Sequence, residues 1–395
     1  MIADRIEAIQ EALRNEGLDG WLFACFQHND PVSLELLGLV GDHLVTRRCY
    51  YLVPALGEPR RLVHRLEPGM LDRLPGTKAR YLTWKEHRSA LAELVAGMKR
   101  LAAQYSPGNQ LPTVSRLDAG TAELLREEGI ELVSSAELIQ LFAASWDEDQ
   151  LAGHQSTCKV LHELARAAMS RVGNALSDGT KISEYEVQQF ILEGFERAGL
   201  WAESSPIVAV NAHSADPHYQ PTADASSMIE KGDFLLIDLW AKEREARSVY
   251  ADITWCGVCA AEATARQREI FGIVALARDA AFQLVSSRYP AQAIHGYEVD
   301  NAARGIIESE GYGEYFIHRT GHSIGISDHG QGANMDDLET HDDRRLQSMT
   351  GFSIEPGIYF PGDFGVRSEI NVVLTPERAE ISGAEPQREL LLLLA

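Results

Sequence analysis

Four acidic residues in the C-terminal half stand where a buried strand or a tight turn is expected, and this restricts the fold more than any other feature. Asp238 ends the apolar run Phe234-Leu235-Leu236-Ile237. Asp252 interrupts the strand-like stretch Ser248 to Trp255, and Glu369 alternates with other residues in Val366-Arg367-Ser368-Glu369-Ile370-Asn371-Val372. Glu355 precedes a turn in Ser353-Ile354-Glu355-Pro356-Gly357. A buried, unpaired carboxylate costs several kcal/mol or shifts its pKa until it is neutral. A fold that buries four must therefore bring them together around cations. His322, in Thr320-Gly321-His322-Ser323-Ile324-Gly325, supplies a neutral ligand to the same set. Four negative charges are balanced by two divalent ions, so the arithmetic favours a two-metal centre.

The bulk composition narrows the partners. With 36 basic and 58 acidic residues the net charge is −22. Nucleic acid and anionic membranes attract basic surfaces, so neither is an expected partner. A chain of 395 residues can build two or three domains. Its five cysteines are an odd number in a long chain, which argues against a disulfide framework. Cys256 and Cys259 lie in an apolar run without a second pair and read as buried free thiols. The N-terminal residues show no signal-peptide core. No apolar run approaches the roughly 20 residues that span a bilayer. A cytoplasmic protein is the expectation.

Along the chain, Ile6, Ile9 and Leu13 give a helical period over residues 5–16. Strand-like runs follow at Trp21–Cys25, Cys49–Val53, Arg61–His64 and Arg80–Trp84, with helices predicted over Ser89–Ala103 and Ala119–Glu128. This alternation indicates an α/β domain. After a break near Ala143–Trp146, Ser145 and Glu148 have capping-box spacing, as do Ser183 and Glu186. Strands are expected to dominate 206–258, with helices over 263–287 and 296–309.

Strand alternation also gives directions. Asp252 shares a face with Tyr250 and Thr254, and Glu369 with Arg367 and Asn371, while Ser368, Ile370 and Val372 face the other way. Among the thirteen histidines, His213, His218, His295, His318, His322 and His329 lie in the same half. Gly321 and Gly325 place His318 and His322 on a loop rather than on one helical face.

The order Asp, Asp, His, Glu, Glu resembles the pita-bread metallopeptidases, which include prolidase, aminopeptidase P and methionine aminopeptidase. The matching segments are Phe234–Asp238, Ala251–Thr254, His318–Gly325, Ser353–Tyr359 and Gly365–Glu369. The resemblance covers about residues 147–378 and extends more weakly to the first domain, which is similar to that of creatinase and prolidase. It implies an α/β (α+β) fold, with an N-terminal creatinase-like α/β domain over 1–144 and a C-terminal pita-bread catalytic domain over 145–395. By the same resemblance Asp238 and Asp252 chelate one ion, His322 another, and Glu355 and Glu369 bridge or complete both shells. His218 and His329 match histidines that contact substrate, Arg367 matches an arginine that buttresses a metal-binding aspartate, and His318 opens the motif that holds His322.

Two departures stand out. Asp238 and Asp252 are 14 residues apart, a longer connection than is usual, and Leu239-Trp240 replaces the common Ala-Gly. Ser204 occupies a position where many relatives carry a tyrosine. The implied activity is hydrolysis of the Xaa-Pro bond in dipeptides, as in prolidase. The alternatives are aminopeptidase P acting on longer peptides, a metal-free creatinase-like hydrolase, and a non-catalytic peptide-binding homologue. Glu355 is expected to move the proton. Oxygen ligands with one imidazole admit Mn²⁺, Co²⁺ or Zn²⁺. A small peptide substrate and a homodimer follow from the resemblance. Restriction to dipeptides needs a group that reads the proline carboxylate, and Arg47 and Arg48 of the first domain, acting across a dimer interface, are the candidates.

Overall fold

The computed structural model describes residues 2–39, 41 and 45–395. Contacts divide the chain into two units, Met1–Ala143 and Ala144–Ala395. In the first, Ile6, Ile9 and Leu13 are buried along one face of α1 (Ile2–Asn15). There follow β1 (Gly20–Cys25), α2 (Pro31–Leu36), β2 (Cys49–Pro54), β3 (Arg60–His64), β4 (Thr77–Tyr81), α3 (Trp84–Leu94), β5 (Arg100–Ala103), α4 (Ala119–Glu127), β6 (Glu131–Ser134) and α5 (Ala136–Ile139). The strands form one sheet in the order β4-β3-β2-β1-β5-β6, with β1 parallel to β5 and antiparallel to β2.

Two local expectations fail here. The helix predicted over Ser89–Ala103 begins earlier, at Trp84, because Thr83 caps it by accepting from the Glu86 N–H. It stops at Leu94, and Arg100–Ala103 is a strand. Gly97 takes a left-handed φ of 83° after the helix, and the Lys99 and Arg100 N–H groups then donate to Asp19 Oδ2, which docks β5 beside β1. The same early helix start ends the strand expected over Arg80–Trp84 at Tyr81.

The second unit opens with α6 (Glu148–Asp178), which is capped by Asp147 with Gln150 rather than by Ser145 with Glu148. Trp146 is tied down just before it, its N–H donating to the Met349 carbonyl and its ring filling the space beside Gly351. The elements that follow are α7 (Glu184–Arg197), capped as expected by Ser183 and Glu186, β7 (Leu200–Trp201), β8 (Ile207–Val210), β9 (Phe234–Glu243) and β10 (Ala251–Val258). Residues 211–233 are loop and short 3₁₀ turn, so strands occupy less of 206–258 than the pattern suggests. Then come α8 (Ala265–Arg288), α9 (Gly296–Ser309), β11 (Ser323–Ile324), β12 (Thr350–Ile354), β13 (Gly357–Tyr359), β14 (Gly365–Arg367), β15 (Ile370–Leu374), β16 (Ala379–Ile381) and β17 (Leu391–Leu392). The fold is mixed α/β throughout.

The antiparallel pair β9–β10 organises this unit. Side chains alternate across it. Leu235, Ile237, Leu239, Ala251 and Ile253 pack with Leu161, Ala165, Met169 and Val172 of α6. On the other face Phe234, Leu236, Cys256 and Val258 join the core built around α8 and α9, including Phe271, Val274, Val299 and Ile307. Each such fully buried side chain contributes about 1.5–3 kcal/mol. By the same alternation Asp238, Asp252 and Thr254 share the face of Phe234 and Leu236. One face of the hairpin is thus apolar core at one end and acidic at the other.

Among the described residues α8 alone passes as a membrane span by length and composition, but Ile270, Phe271, Val274, Ala277, Ala281 and Val285 bury its apolar side within the unit. The C-terminal leucines also pack inward: β17 pairs with β10, and Leu391, Leu393 and Leu394 lie against the α6 core. All five cysteines are free and buried.

Candidate metal centre

The five candidate ligands converge, and the backbone explains how. Asp238 is not at a strand end; β9 runs on to Glu243, so Asp238 sits mid-strand, directly across from Thr254. Asp252 is fixed from behind by Asn371, which accepts from its N–H at 2.9 Å and donates to its carbonyl at 2.6 Å. His322 precedes β11, Glu355 follows the last residue of β12, and Glu369 lies in the break between β14 and β15. His322 and Ser353 clasp each other: the Ser353 N–H donates to the His322 carbonyl at 2.9 Å, and the His322 N–H donates to Ser353 Oγ at 2.9 Å.

Three overlapping trios have ligand atoms mutually within 4.8 Å: Asp238, Asp252 and Glu369; His322, Glu355 and Glu369; and Asp252, His322 and Asp328. His322 Nδ1 donates to the Ser323 carbonyl at 3.1 Å, which fixes the tautomer and leaves Nε2 free. That nitrogen lies 3.3 Å from Glu355 Oε1 and 3.6 Å from Asp252 Oδ2. Ser353 Oγ donates to Glu355 Oε1 at 3.0 Å. Asp252 Oδ1 and Glu369 Oε1 are buried without any hydrogen-bond partner. Orphaned carboxylate oxygens aimed at one another are the arrangement a divalent cation satisfies, so the donor set fits a metal centre.

The electrostatics agree. Burial, then the neighbouring carboxylates, push Asp252 and Glu369 well above the usual carboxylate range. Burial also raises Asp238 against the opposing pull of Arg367. Glu355 behaves differently: burial raises it, but His322, Arg367 and His318 together outweigh burial and hold it low. Arg367 donates from Nη2 to Asp238 Oδ2, from Nε to Thr254 Oγ1 at 3.0 Å and from Nη1 to the Tyr359 hydroxyl at 3.2 Å.

The site opens into a cavity of about 630 Å³ lined by Asp238, Asp252, His322 and Glu355 on its floor and by His218, His318, Arg319, Asp328 and His329 on its walls. His218 sits at the exposed rim. Its loop is anchored by Glu184, a fully buried carboxylate that accepts from the Val210 N–H at 2.8 Å, the Tyr219 hydroxyl at 2.7 Å and the Ser227 N–H at 2.7 Å. The His329 ring lies 4.2 Å from that of His322. The neighbouring His322, then burial and Arg319, bring His329 down to about 3. Arg319 Nη2 donates to His329 Nδ1 at 3.3 Å, so the remaining proton is on Nε2. His318 donates from Nδ1 to the Arg319 carbonyl at 2.6 Å and accepts at Nε2 from the Tyr359 hydroxyl at 2.8 Å. Ser204 lines the same cavity. Arg47 and Arg48 belong to the first unit, where Arg47 donates to the Thr46 carbonyl at 3.0 Å and Arg48 lies 5.9 Å from the Phe26 ring centre.

Sequence reasoning did not single out four residues that the site uses. Thr254 holds Asp238 and Glu369, Glu184 holds the His218 loop, Arg319 orients His329, and Asp328 completes the third trio. Only Thr254 carried a signal, through its shared face with Asp252.

Residues 156–376 match the family Peptidase_M24, described as metallopeptidase family M24. An Xaa-Pro dipeptidase from Lactobacillus delbrueckii subsp. lactis is 32% identical over 204 residues, which is 52% of this chain and 50% of that protein. The matched region thus spans about half of that relative. The solved dipeptidase PepE from Mycobacterium ulcerans superposes with a TM-score of 0.69 at 23% identity, covering 99% of this chain and 98% of its own. The prolidase from Pyrococcus horikoshii OT3 does so with a TM-score of 0.60 at 26% identity, covering 98% and 100%.

Proposed function

This chain belongs to metallopeptidase family M24, and from that premise we propose that it cleaves the Xaa-Pro bond, with dipeptides as its preferred substrates and two divalent ions at the centre described above. The observation that carries this reading is the convergence of Asp238, Asp252, His322, Glu355 and Glu369, with two orphaned oxygens, the first four of them lining one cavity. Ions held there supply water activation and polarisation of the scissile carbonyl.

The chain's own groups do the rest. Glu355 is held ionised, so it accepts the proton of the attacking water and delivers it to the leaving imide nitrogen. His218 and the Nε2–H of His329 are the donors for the carbonyl oxygen and the proline side of the substrate. His329 is neutral at working pH and donates without repelling the cations. Arg319 is the group suited to a free C-terminal carboxylate. It lines the cavity, is held over His329, and makes no ion pair among the described residues.

The test is an assay on chelated protein re-supplied with Mn²⁺, Co²⁺ or Zn²⁺ in turn, using Ala-Pro and Ala-Pro-Ala. Turnover of Ala-Pro that requires metal and exceeds that of the tripeptide supports the reading. Faster tripeptide cleavage moves the assignment to an aminopeptidase, and no turnover with any ion ends it.

A further inference from the structure

The charge count at the centre does not close on the five ligands alone. Asp238 already has a counter-ion, because Arg367 is buried against it. Three carboxylates then remain, Asp252, Glu355 and Glu369, against the four positive charges of two divalent ions. One negative group is wanting, and Asp328 is placed to be it.

Asp328 returns to the centre because the loop after β11 is folded tightly. The Gly330 N–H donates to the Ser323 carbonyl at 2.7 Å, and the Gly325 N–H to the Ser327 carbonyl at 3.2 Å. A Cβ on Gly330 would stand 2.8 Å from Ser323 Oγ and 2.9 Å from the Ile324 carbonyl carbon, so the close approach needs glycine there. The Tyr250 N–H donates to the Gly325 carbonyl at 2.9 Å, which ties this loop to the strand bearing Asp252. As a result an oxygen of Asp328, an oxygen of Asp252 and a nitrogen of His322 lie mutually within 4.8 Å. Metal–ligand bonds of about 2.0–2.2 Å hold ligand atoms no more than about 4.4 Å apart, so an ion bound there would draw the three side chains slightly together. Asp328 Oδ1 is buried with no hydrogen-bond partner, and Oδ2 lies 3.9 Å from Nε2 of the neutral His329.

Resting on the two-metal reading, we propose that Asp328 is a sixth protein ligand, binding the ion held by His322. Asp252, Glu355, Glu369 and Asp328 then offset two divalent cations, while Arg367 offsets Asp238. The extra carboxylate ligand tightens the His322 ion specifically.

The experiment is a Mn²⁺ titration of the metal-stripped full chain, followed by calorimetry and by electron paramagnetic resonance, for the native protein, Asp328→Asn and Asp328→Glu. Circular dichroism of each metal-free variant checks the fold. The native chain should take up two ions per chain and give the signal of a coupled pair. Asp328→Asn should bind one ion as before and the other at least tenfold more weakly, losing the coupled signal at stoichiometric metal. Asp328→Glu should recover part of both. Two ions bound by Asp328→Asn with native constants, alongside a raised KM for Ala-Pro, would overturn the proposal and make Asp328 a partner for the substrate's ammonium group. A native chain that binds no Mn²⁺ overturns the two-metal reading itself, a result distinct from failure of the variant alone.

Discussion

Thr254 stands directly opposite Asp238 across the β9–β10 pair, and its Oγ1 lies 3.0 Å from Asp238 Oδ1 and 2.9 Å from Glu369 Oε2. The same oxygen accepts from Arg367 Nε at 3.0 Å. One hydroxyl thus spaces two carboxylates and fixes the guanidinium that neutralises one of them. Thr254→Val keeps the shape and removes the oxygen. We expect a stability loss of about 1–3 kcal/mol in the metal-free protein, the cost of buried polar groups left unpaired. Metal affinity should fall roughly 10–100-fold, as when other groups orienting ligands are removed. Urea unfolding in chelator and a Mn²⁺ titration measure the two effects. Native metal affinity in Thr254→Val would mean that the hydroxyl orients nothing.

Arg319 gives a prediction about substrate length rather than rate. A charge-assisted hydrogen bond is worth about 1.5–3 kcal/mol. At about 1.4 kcal/mol per tenfold, Arg319→Gln should raise KM for Ala-Pro by roughly 10–100-fold. The C-terminally amidated Ala-Pro has no carboxylate to read, so its kcat/KM should be nearly unchanged by the substitution. Arg319→Lys should fall between the two, since an ammonium cannot reproduce the planar fork. Equal losses on both substrates would show that Arg319 acts only by orienting His329.

The stability of the second unit should fall on mild acidification. His154 is fully buried, donating to the Tyr250 carbonyl at 2.7 Å, with Ser382 Oγ 3.0 Å from its other nitrogen. Burial lowers its pKa to about 4, and burial with Arg166 does the same to His162. The unfolded chain protonates both near 6.5, while the native chain resists until about 4. Stability is therefore complete above the unfolded value and declines as pH drops toward the folded one. Between pH 7 and pH 5 each histidine should remove about 2 kcal/mol. Urea midpoints measured with Zn²⁺ bound, where the carboxylates of the centre would hold cations rather than protons, should shift accordingly, and histidine NMR signals titrating near 6.5 in the native state would refute the assignment.

Asp238, Asp252 and Glu369 were legible as candidates because a carboxylate in a strand-like run has few cheap explanations, whereas His322 and Glu355 stand in glycine-bounded and turn contexts and were picked out by the order of the motifs. Arg367 followed from the alternation through Glu369. Asp238 was legible as a carboxylate closing an apolar run, but its place in mid-strand was not, since a carboxylate after four apolar residues reads equally well as a strand end. Asp328 was hidden because Ser327-Asp328-His329-Gly330 reads as a solvated turn; only the approach of Gly330 to Ser323 turns it inward. Glu184 looked like an ordinary acid in the first turn of α7, with nothing to announce that it reaches the His218 loop. The helix-for-strand error at Arg100–Ala103 has the same origin. A short apolar run has no period of its own, and pairing with β1 decided it.

Gly321 tests how far the site depends on close backbone approach. A Cβ there would stand 2.0 Å from the Ser353 carbonyl oxygen, a backbone atom with no freedom to withdraw. Ser353 and His322 are joined by two hydrogen bonds of 2.9 Å, and Glu355 lies two residues beyond Ser353. Gly321→Ala must therefore separate His322 from Glu355, now 3.3 Å apart, and with them the shell of one ion. Overpacking of this kind costs about 1–3 kcal/mol. The metal content of the purified variant should drop toward one ion per chain, with activity falling in step. Gly305→Ala is the matched control, because that residue lies within α9 with nothing inside 4 Å of the added carbon. It should be neutral or stabilising by up to about 1 kcal/mol and keep its full metal content. A Gly321→Ala protein with native metal content would show that the loop can yield, and that the clasp between His322 and Ser353 does not set the geometry of the centre.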